Sequence, residues 1–277
     1  MEVIILAIIT KITVQKNKSD RYNIFMDDGT GEKYAFSVDE DVLIKFQLKK
    51  GIELDPFALT EISYQDDIRK AYNLAVQFLA RRIRSEHEVR EYLLKKEIDE
   101  PIIQEAIHKL YEYQFLNDEE YAKAYVRTTM NTTDKGSVLT KRELKDKGIS
   151  ESNIRIALKE YDFEHEYEKA KILSEKFCQK NNKDSLRMIQ QKLEQLLMRK
   201  GYQTEIITRV LNEYKVENDE AVNLQAIRIQ GEKALRKFSK YSGYEFQQKM
   251  KQALFRKGFS LDMIEEYLQE VKANHES

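Results

Sequence analysis

The densest group of side chains able to do chemistry in this 277-residue sequence is cationic: Arg81, Arg82, Arg84, Arg90, Lys95 and Lys96 fall within 16 residues. Guanidinium and ammonium groups packed this closely can track a phosphate backbone or meet an acidic protein face. The plainer reading is that arginines near helix ends satisfy the last carbonyls and stand in water. A second set, Lys147, Arg199, Lys200, Arg256 and Lys257, recurs at equivalent places further on, where complementarity to a helix dipole alone would ask for a cation. Catalytic groups are sparse. The four histidines (His87, His108, His165, His275) are scattered, no Cys/His pair has metal-ligand spacing, and no glycine-rich phosphate loop occurs. Glu86, Glu88 and Glu91 lie close together, but at a capped helix start they serve the dipole rather than a metal. We therefore expect no enzyme activity, no metal and no cofactor.

Tyr111, Tyr113, Tyr121, Tyr125, Tyr161 and Tyr214 could stack on exposed bases. Tyr113-x-Phe115, Tyr161-x-Phe163 and Tyr214-x-Val216 recur before each connecting helix, however, and that recurrence points to packing.

Composition agrees with a binding protein of mixed charge. Lys and Arg number 47 against 48 Asp and Glu, which disfavours a uniformly basic nucleic-acid binder. The asymmetry is mild: 10 cations face 13 acids over residues 1–70, and 17 face 14 over 181–277. The one cysteine, Cys178, cannot form an internal disulfide, so a reducing cytoplasm fits. VIILAII (Val3 to Ile9) lacks a cationic leader and is far shorter than the roughly 20 residues that span a bilayer. It reads as a core strand, with no export signal and no membrane anchor.

From Ile8 to about Val38, apolar residues alternate in ITKITV, YNIF and YAFSV, separated by KNKSD and DDGTGE. Period-two runs with such punctuation predict three antiparallel strands. SVDEDVLIKF (Ser37 to Phe46) has a cap-like serine and early acids, which predicts a short helix. The β region should end near Pro56 to Ser63. Beyond Asp66 the apolar spacing turns to threes and fours, and the only remaining proline, Pro101, sits where a first helical turn tolerates it.

LKDKGISESNIRIAL (Leu144 to Leu158) returns as LMRKGYQTEIITRVL (Leu197 to Leu211) and LFRKGFSLDMIEEYL (Leu254 to Leu268). An earlier copy, LLKKEIDEPIIQEAI (Leu93 to Ile107), keeps the apolar register but carries Glu97 in place of glycine. The anchors are 51, 53 and 57 residues apart, the mark of a repeat architecture. Leu-x-x-Lys-Gly ends a helix: lysine answers the negative C-terminal dipole and glycine takes the left-handed turn. The next helix starts at once, capped by Ser150 or Ser152 in one copy and by Ser260 or Asp262 in another. NDEEYAKAYVRTTM, HEYEKAKILSEKF and NDEAVNLQAIRIQGEKALRKF supply the connecting helices. Ser85-x-x-Glu88 forms a capping box in the first copy. Each unit is thus three helices, and four units should stack into an elongated, curved array because a lone unit leaves apolar surface uncovered. The expected organisation is a small β-rich region over 1–65 and four modules over about 66–115, 116–161, 162–215 and 216–277.

FLARRIRSEHEVREYL (Phe78 to Leu93), FLNDEEYAKAYV (Phe115 to Val126), and Gly136 followed by RELKDKGI (Arg142 to Ile149) together resemble the RecX family, bacterial regulators of the RecA recombinase. The motifs stand in order over about 80 residues, and the remaining copies look like the longer Gram-positive form. Ser137 departs from the family's frequent proline, and Thr140 from an aliphatic residue. The resemblance implies a mainly α protein of tandem three-helix modules. It also implies a non-enzymatic regulator that binds RecA–DNA filaments, alters their growth or disassembly, and lowers ATP hydrolysis and strand exchange. RecA filaments are the expected partner, with weak binding to single- or double-stranded DNA and no membrane, by a monomer. The alternatives are a direct DNA-binding helical protein, since paired helices around a glycine turn resemble helix-turn-helix readers, or a scaffold for another partner. Against the first, the outward positions Asp262, Glu265 and Glu266 would repel phosphate.

Overall fold

The computed structural model describes the backbone of residues 6–16, 18–217 and 221–276, with side chains described except at 18, 215–217, 221, 222 and 273–276. Residues 3–5 of the opening apolar run, 218–220 of the last connecting stretch, and the side chains of Val216 and His275 lie outside the described residues. The chain divides into two compact units, residues 1–121 with 147–149, and residues 122–146 with 150–277.

In the first unit, alternation produces strands β1 (Ala7–Gln15), β2 (Lys18–Asp27) and β3 (Glu32–Asp39), as the sequence predicts. A fourth, β4 (Glu53–Leu54), is too short to show a period and escapes prediction. The order is β3-β2-β1-β4, with all three pairings antiparallel and Ile12 opposite Ile24. The short helix α1 (Glu40–Lys45) is capped by Asp39, whose carboxylate accepts from the Asp41 N–H, and not by Ser37. Ile9, Ile24, Met26 and Val38 turn from the sheet into a core closed by Val42, Leu48 and Ile62.

Helix α2 (Pro56–Leu79) begins ten residues before the change of texture at Asp66, because Asp55 caps it through the Ala58 N–H at 2.7 Å and Pro56 takes its first turn. The position between residues 65 and 66 therefore lies inside one continuous helix. Its first half packs Ile62 on the sheet, and its second half packs Ala71, Tyr72 and Ala75 against α3 (Glu86–Leu94) and α4 (Glu100–Glu112). An ion pair fastens it to the sheet. Arg21 meets Asp66 at 2.8 Å with both side chains almost fully buried, and Asp66 also accepts the Asp39 N–H at 2.8 Å.

The second module comprises α5 (Asp118–Thr132), α6 (Ser137–Asp146) and α7 (Glu151–Ala157). The third comprises α8 (Phe163–Lys180), α9 (Leu186–Lys200) and α10 (Thr204–Glu217). The fourth comprises α11 (Ala221–Phe238), α12 (Gly243–Arg256) and α13 (Leu261–Glu276). Ile154 and Leu144 are fully buried, and the equivalent Leu197 and Ile207, and Leu254 and Ile264, close the later cores. Ser150 and Ser260 provide the caps, through Asn153 N–H and Met263 N–H.

Successive modules are joined by one repeated device that the sequence did not reveal. In the first three modules the start of the middle helix is held by the module after it. Ser85 Oγ donates to the Lys147 carbonyl at 2.9 Å, the Gly136 N–H to the Lys200 carbonyl at 2.8 Å, and Ser185 Oγ to the Lys257 carbonyl at 2.5 Å. The next N–H of each helix finds an acceptor on the following module's first helix. Asp118 takes that of Glu86, Glu166 that of Ser137 and Asn223 that of Leu186, each at 2.8 Å. These bonds satisfy donors that a helix start otherwise leaves open.

The turn glycines must allow this approach. Gly148 has φ 75°, and a β-carbon there would stand 2.5 Å from that of His87; on Gly258 (φ 87°) it would stand 2.6 Å from Ser185 Oγ. Glu97 holds the same left-handed conformation at φ 59° but is exposed, so the first copy needs no close approach.

Candidate functional site

The α2–α3 loop brings Arg81, Arg82 and Arg84 together. Arg82 pairs with Glu88 at 2.7 Å. Arg84 is built into the module: its Nε donates to the Phe78 carbonyl at 3.1 Å and its guanidinium lies 3.6 Å from the Phe78 ring centroid. Phe78 stacks on Tyr92 at 4.0 Å, and Lys96 lies 5.8 Å from the Tyr92 ring. Burial, with Arg82 and Arg81 adding to it against Glu88, lowers the Arg84 pKa. Between these cations stands Ile83, 66% exposed.

Arg90 does not join that loop. It reaches across α3 to Glu86 at 3.1 Å, to Glu100, and to Gln104 at 3.1 Å. Lys95 ends α3 as its C-cap and is exposed. The sequence cluster thus separates into an exposed Arg81, an exposed Arg82 paired with Glu88, a packed Arg84, an ion-paired Arg90, and Lys95 with Lys96 at the far end of the helix.

The acids nearby serve the helix start. The capping box of Ser85 and Glu88 is complete. Burial pushes the Glu88 carboxyl up, but Arg82, the Ser85 N–H and Lys147 outweigh it, so its pKa is lowered. Burial raises Asp118 beyond the help of the Glu86 N–H, and Glu86 adds to the rise. Among the described residues no three His, Cys, Asp or Glu side chains are placed to hold a metal ion.

At the later turns, Lys147, Lys200 and Lys257 give their backbone carbonyls to the joints, while their side chains differ in surroundings. Lys147 acts on Glu88, Lys200 lies 4.0 Å from Asp134, and Lys257 lines a groove with Lys233 and Lys237. Arg199 borders a concavity with Arg142 and the exposed Met198 and Val138. Arg256, in the last turn of α12, is exposed.

Most of the tyrosines hold structure. Tyr111 donates to Glu86 at 3.0 Å and Tyr125 to Glu143 at 2.8 Å. Tyr121 is buried, with its hydroxyl pushed up to about 12 by burial and Glu88. Tyr113 is exposed and meets Tyr72 edge-on at 6.0 Å. The two departures from the family pattern are explained by local bonds. Thr140 is fully buried and its hydroxyl lies 2.9 Å from the Gly136 carbonyl and 2.8 Å from the Tyr161 hydroxyl. Ser137 presents the N–H that Glu166 accepts, a bond proline could not make.

Sequence reasoning missed the inter-module acceptors Asp118, Glu166 and Asn223 and the lysines Lys233 and Lys237. A charge count over 228–257 alone, where nine Lys and Arg face two acids, would have found the lysines.

Fold and surfaces together define a helical repeat protein of tandem three-helix modules behind a small antiparallel sheet. Family models match it segment by segment: the regulatory protein RecX N-terminal domain over residues 7–55, the RecX first three-helix domain over 71–110, the second over 117–158, and the third twice, over 164–211 and 221–268. The chain belongs to the RecX family of regulatory proteins. It is 46% identical over 262 residues to the regulatory protein RecX of Bacillus subtilis (strain 168), covering 95% of this chain and 98% of that one. Its counterpart in Halalkalibacterium halodurans is 44% identical over 264 residues, covering 95% and 99%. A crystal structure of regulatory protein RecX superposes with TM-score 0.68 at 36% identity, covering 75% of this chain and all of the other. That of RecX from Lactobacillus salivarius gives 0.52 at 38%, covering 55% and 99%.

Proposed function

We propose that this protein binds filaments of the RecA recombinase on DNA and modulates, chiefly inhibits, their growth, ATP hydrolysis and strand exchange. The observation that carries the reading is the ordered match of five segments to RecX models, with 46% identity to regulatory proteins of that name. The loop surface supports it: an exposed isoleucine flanked by guanidiniums suits a protein face, where arginine and apolar groups are favoured together. The protein performs no chemistry of its own in this reading. Its four modules, about 66–115, 116–161, 162–215 and 216–277, contribute individually weak contacts that tethering makes additive. It works as a monomer in the cytoplasm beside its partner; no helix among the described residues is long and apolar enough to cross a membrane.

The test is ATP hydrolysis by RecA on single-stranded DNA with this protein titrated in. Inhibition at substoichiometric amounts is expected. An unchanged rate at saturating protein would overturn the reading.

A further inference from the structure

The fourth module divides its charge between helices. From Arg228 to Lys257 nine lysines and arginines face only Glu232 and Glu245, whereas Leu261 to Glu270 hold Asp262, Glu265, Glu266 and Glu270 and no cation. Some of these acids are used: Arg228 meets Glu270 at 3.1 Å, Lys251 meets Glu265 at 2.5 Å and Lys249 meets Glu245 at 3.5 Å. A groove of about 250 Å³ between α11 and α12 has no acid in its wall. Lys233, Lys237 and Lys257 line it over a floor that includes Leu254 and Phe238.

Lys233 and Lys237 are one helical turn apart, a like-charge pair that disfavours the isolated helix. Bound anions would relieve that repulsion. Lysines act as point charges suited to phosphodiesters, while carboxylates are better met by the arginine fork, which the groove lacks. Phe238 also begins an aromatic end to the hairpin. Its ring lies 6.3 Å from that of Tyr241, Lys237 is 5.6 Å from Phe238, and Lys240 and Lys249 are 5.2 and 4.4 Å from Tyr241. Tyr244, one turn on, is 77% exposed. Cations interleaved with accessible rings are what an unpaired nucleic-acid strand requires, since its bases are free to stack and those of a duplex are not.

We propose that the α11–α12 groove binds a single-stranded nucleic acid, with Lys233, Lys237 and Lys257 on successive phosphodiesters and the tyrosines at the aromatic end receiving bases. This rests on the regulator reading for its ligand class and adds the place where the strand lies. The full chain is titrated onto a fluorescein-labelled oligothymidylate across a range of salt, without recombinase, and compared with the Lys233→Gln/Lys237→Gln chain. The double variant is expected to bind several-fold more weakly, with the slope of log K against log salt reduced by about 1.4, which is about 0.7 for each lysine–phosphate pairing removed. An unchanged slope overturns the proposal, as does tighter binding of duplex than of single strand by the unaltered chain. Unchanged strand binding with loss of RecA inhibition would mean that the groove docks on protein, overturning the proposal while sparing the regulator reading. A reduced slope in a chain that never inhibits RecA would do the reverse.

Discussion

The hydroxyl of Ser85 donates to the carbonyl of Lys147 at 2.9 Å, and so the N-cap of one module rests on the turn of the next. That turn ends at Gly148, where φ is 75° and a β-carbon would stand 2.5 Å from that of His87, so no side chain fits. Replacement of Gly148 by valine should destabilise the protein by about 1 kcal/mol or more from the backbone conformation, and further from displacement of His87. A melting curve unchanged by Gly148→Val would contradict the joint.

Glu97 provides the converse. It holds φ 59° with no packing requirement, so glycine relieves the left-handed strain, offset by glycine's greater freedom in the unfolded chain. We expect Glu97→Gly to stabilise by a few tenths to about 1 kcal/mol, read by denaturant titration.

The arginines of the α2–α3 loop should separate by role. Arg81→Gln with Arg82→Gln is expected to weaken inhibition of RecA while leaving the melting temperature nearly unchanged. Arg84→Ala, which removes the guanidinium 3.6 Å from Phe78 and the bond to its carbonyl, should lower the melting temperature even where binding is not measured. Equal effects of the two variants on stability would refute this division.

Asp66 makes stability depend on acidity. Burial raises its carboxyl, but Arg21, the Asp39 N–H and Lys70 outweigh burial and hold the pKa below the ordinary value. Its contribution is therefore present above the unfolded pKa, about 3.9, and disappears as pH falls through the lower folded value. Asp66→Asn should cost about 3 kcal/mol at neutral pH, since Arg21 is left buried without its partner, and much less once the pH has fallen below that folded value. Parallel urea titrations at the two pH values test this; a pH-independent difference would exclude it.

Tyr202 sits just after the third turn, and among the described residues its hydroxyl is the buried side-chain atom without a hydrogen-bond partner. An unsatisfied buried hydroxyl contributes nothing that a ring cannot. Tyr202→Phe is expected to leave stability unchanged or raise it, and a loss above about 1 kcal/mol would reveal a partner for that oxygen.

Periodicity, caps and the recurring Lys-Gly turn determined the helical modules, the sheet and the family, because each depends on residues near in sequence. The strand alternation, Pro101, Ser85-x-x-Glu88 and the turns at Gly148, Gly201 and Gly258 were legible for that reason. Tertiary structure alone decided the rest. That Asp118, Glu166 and Asn223 accept from the preceding module, that α2 serves both the sheet and the first module, and that Arg84 is packed while Arg81 is open follow from contacts between distant segments. A run of arginines has the same sequence whether its charges face a ring, an acid or water; only the burial and the partners that folding supplies distinguish them.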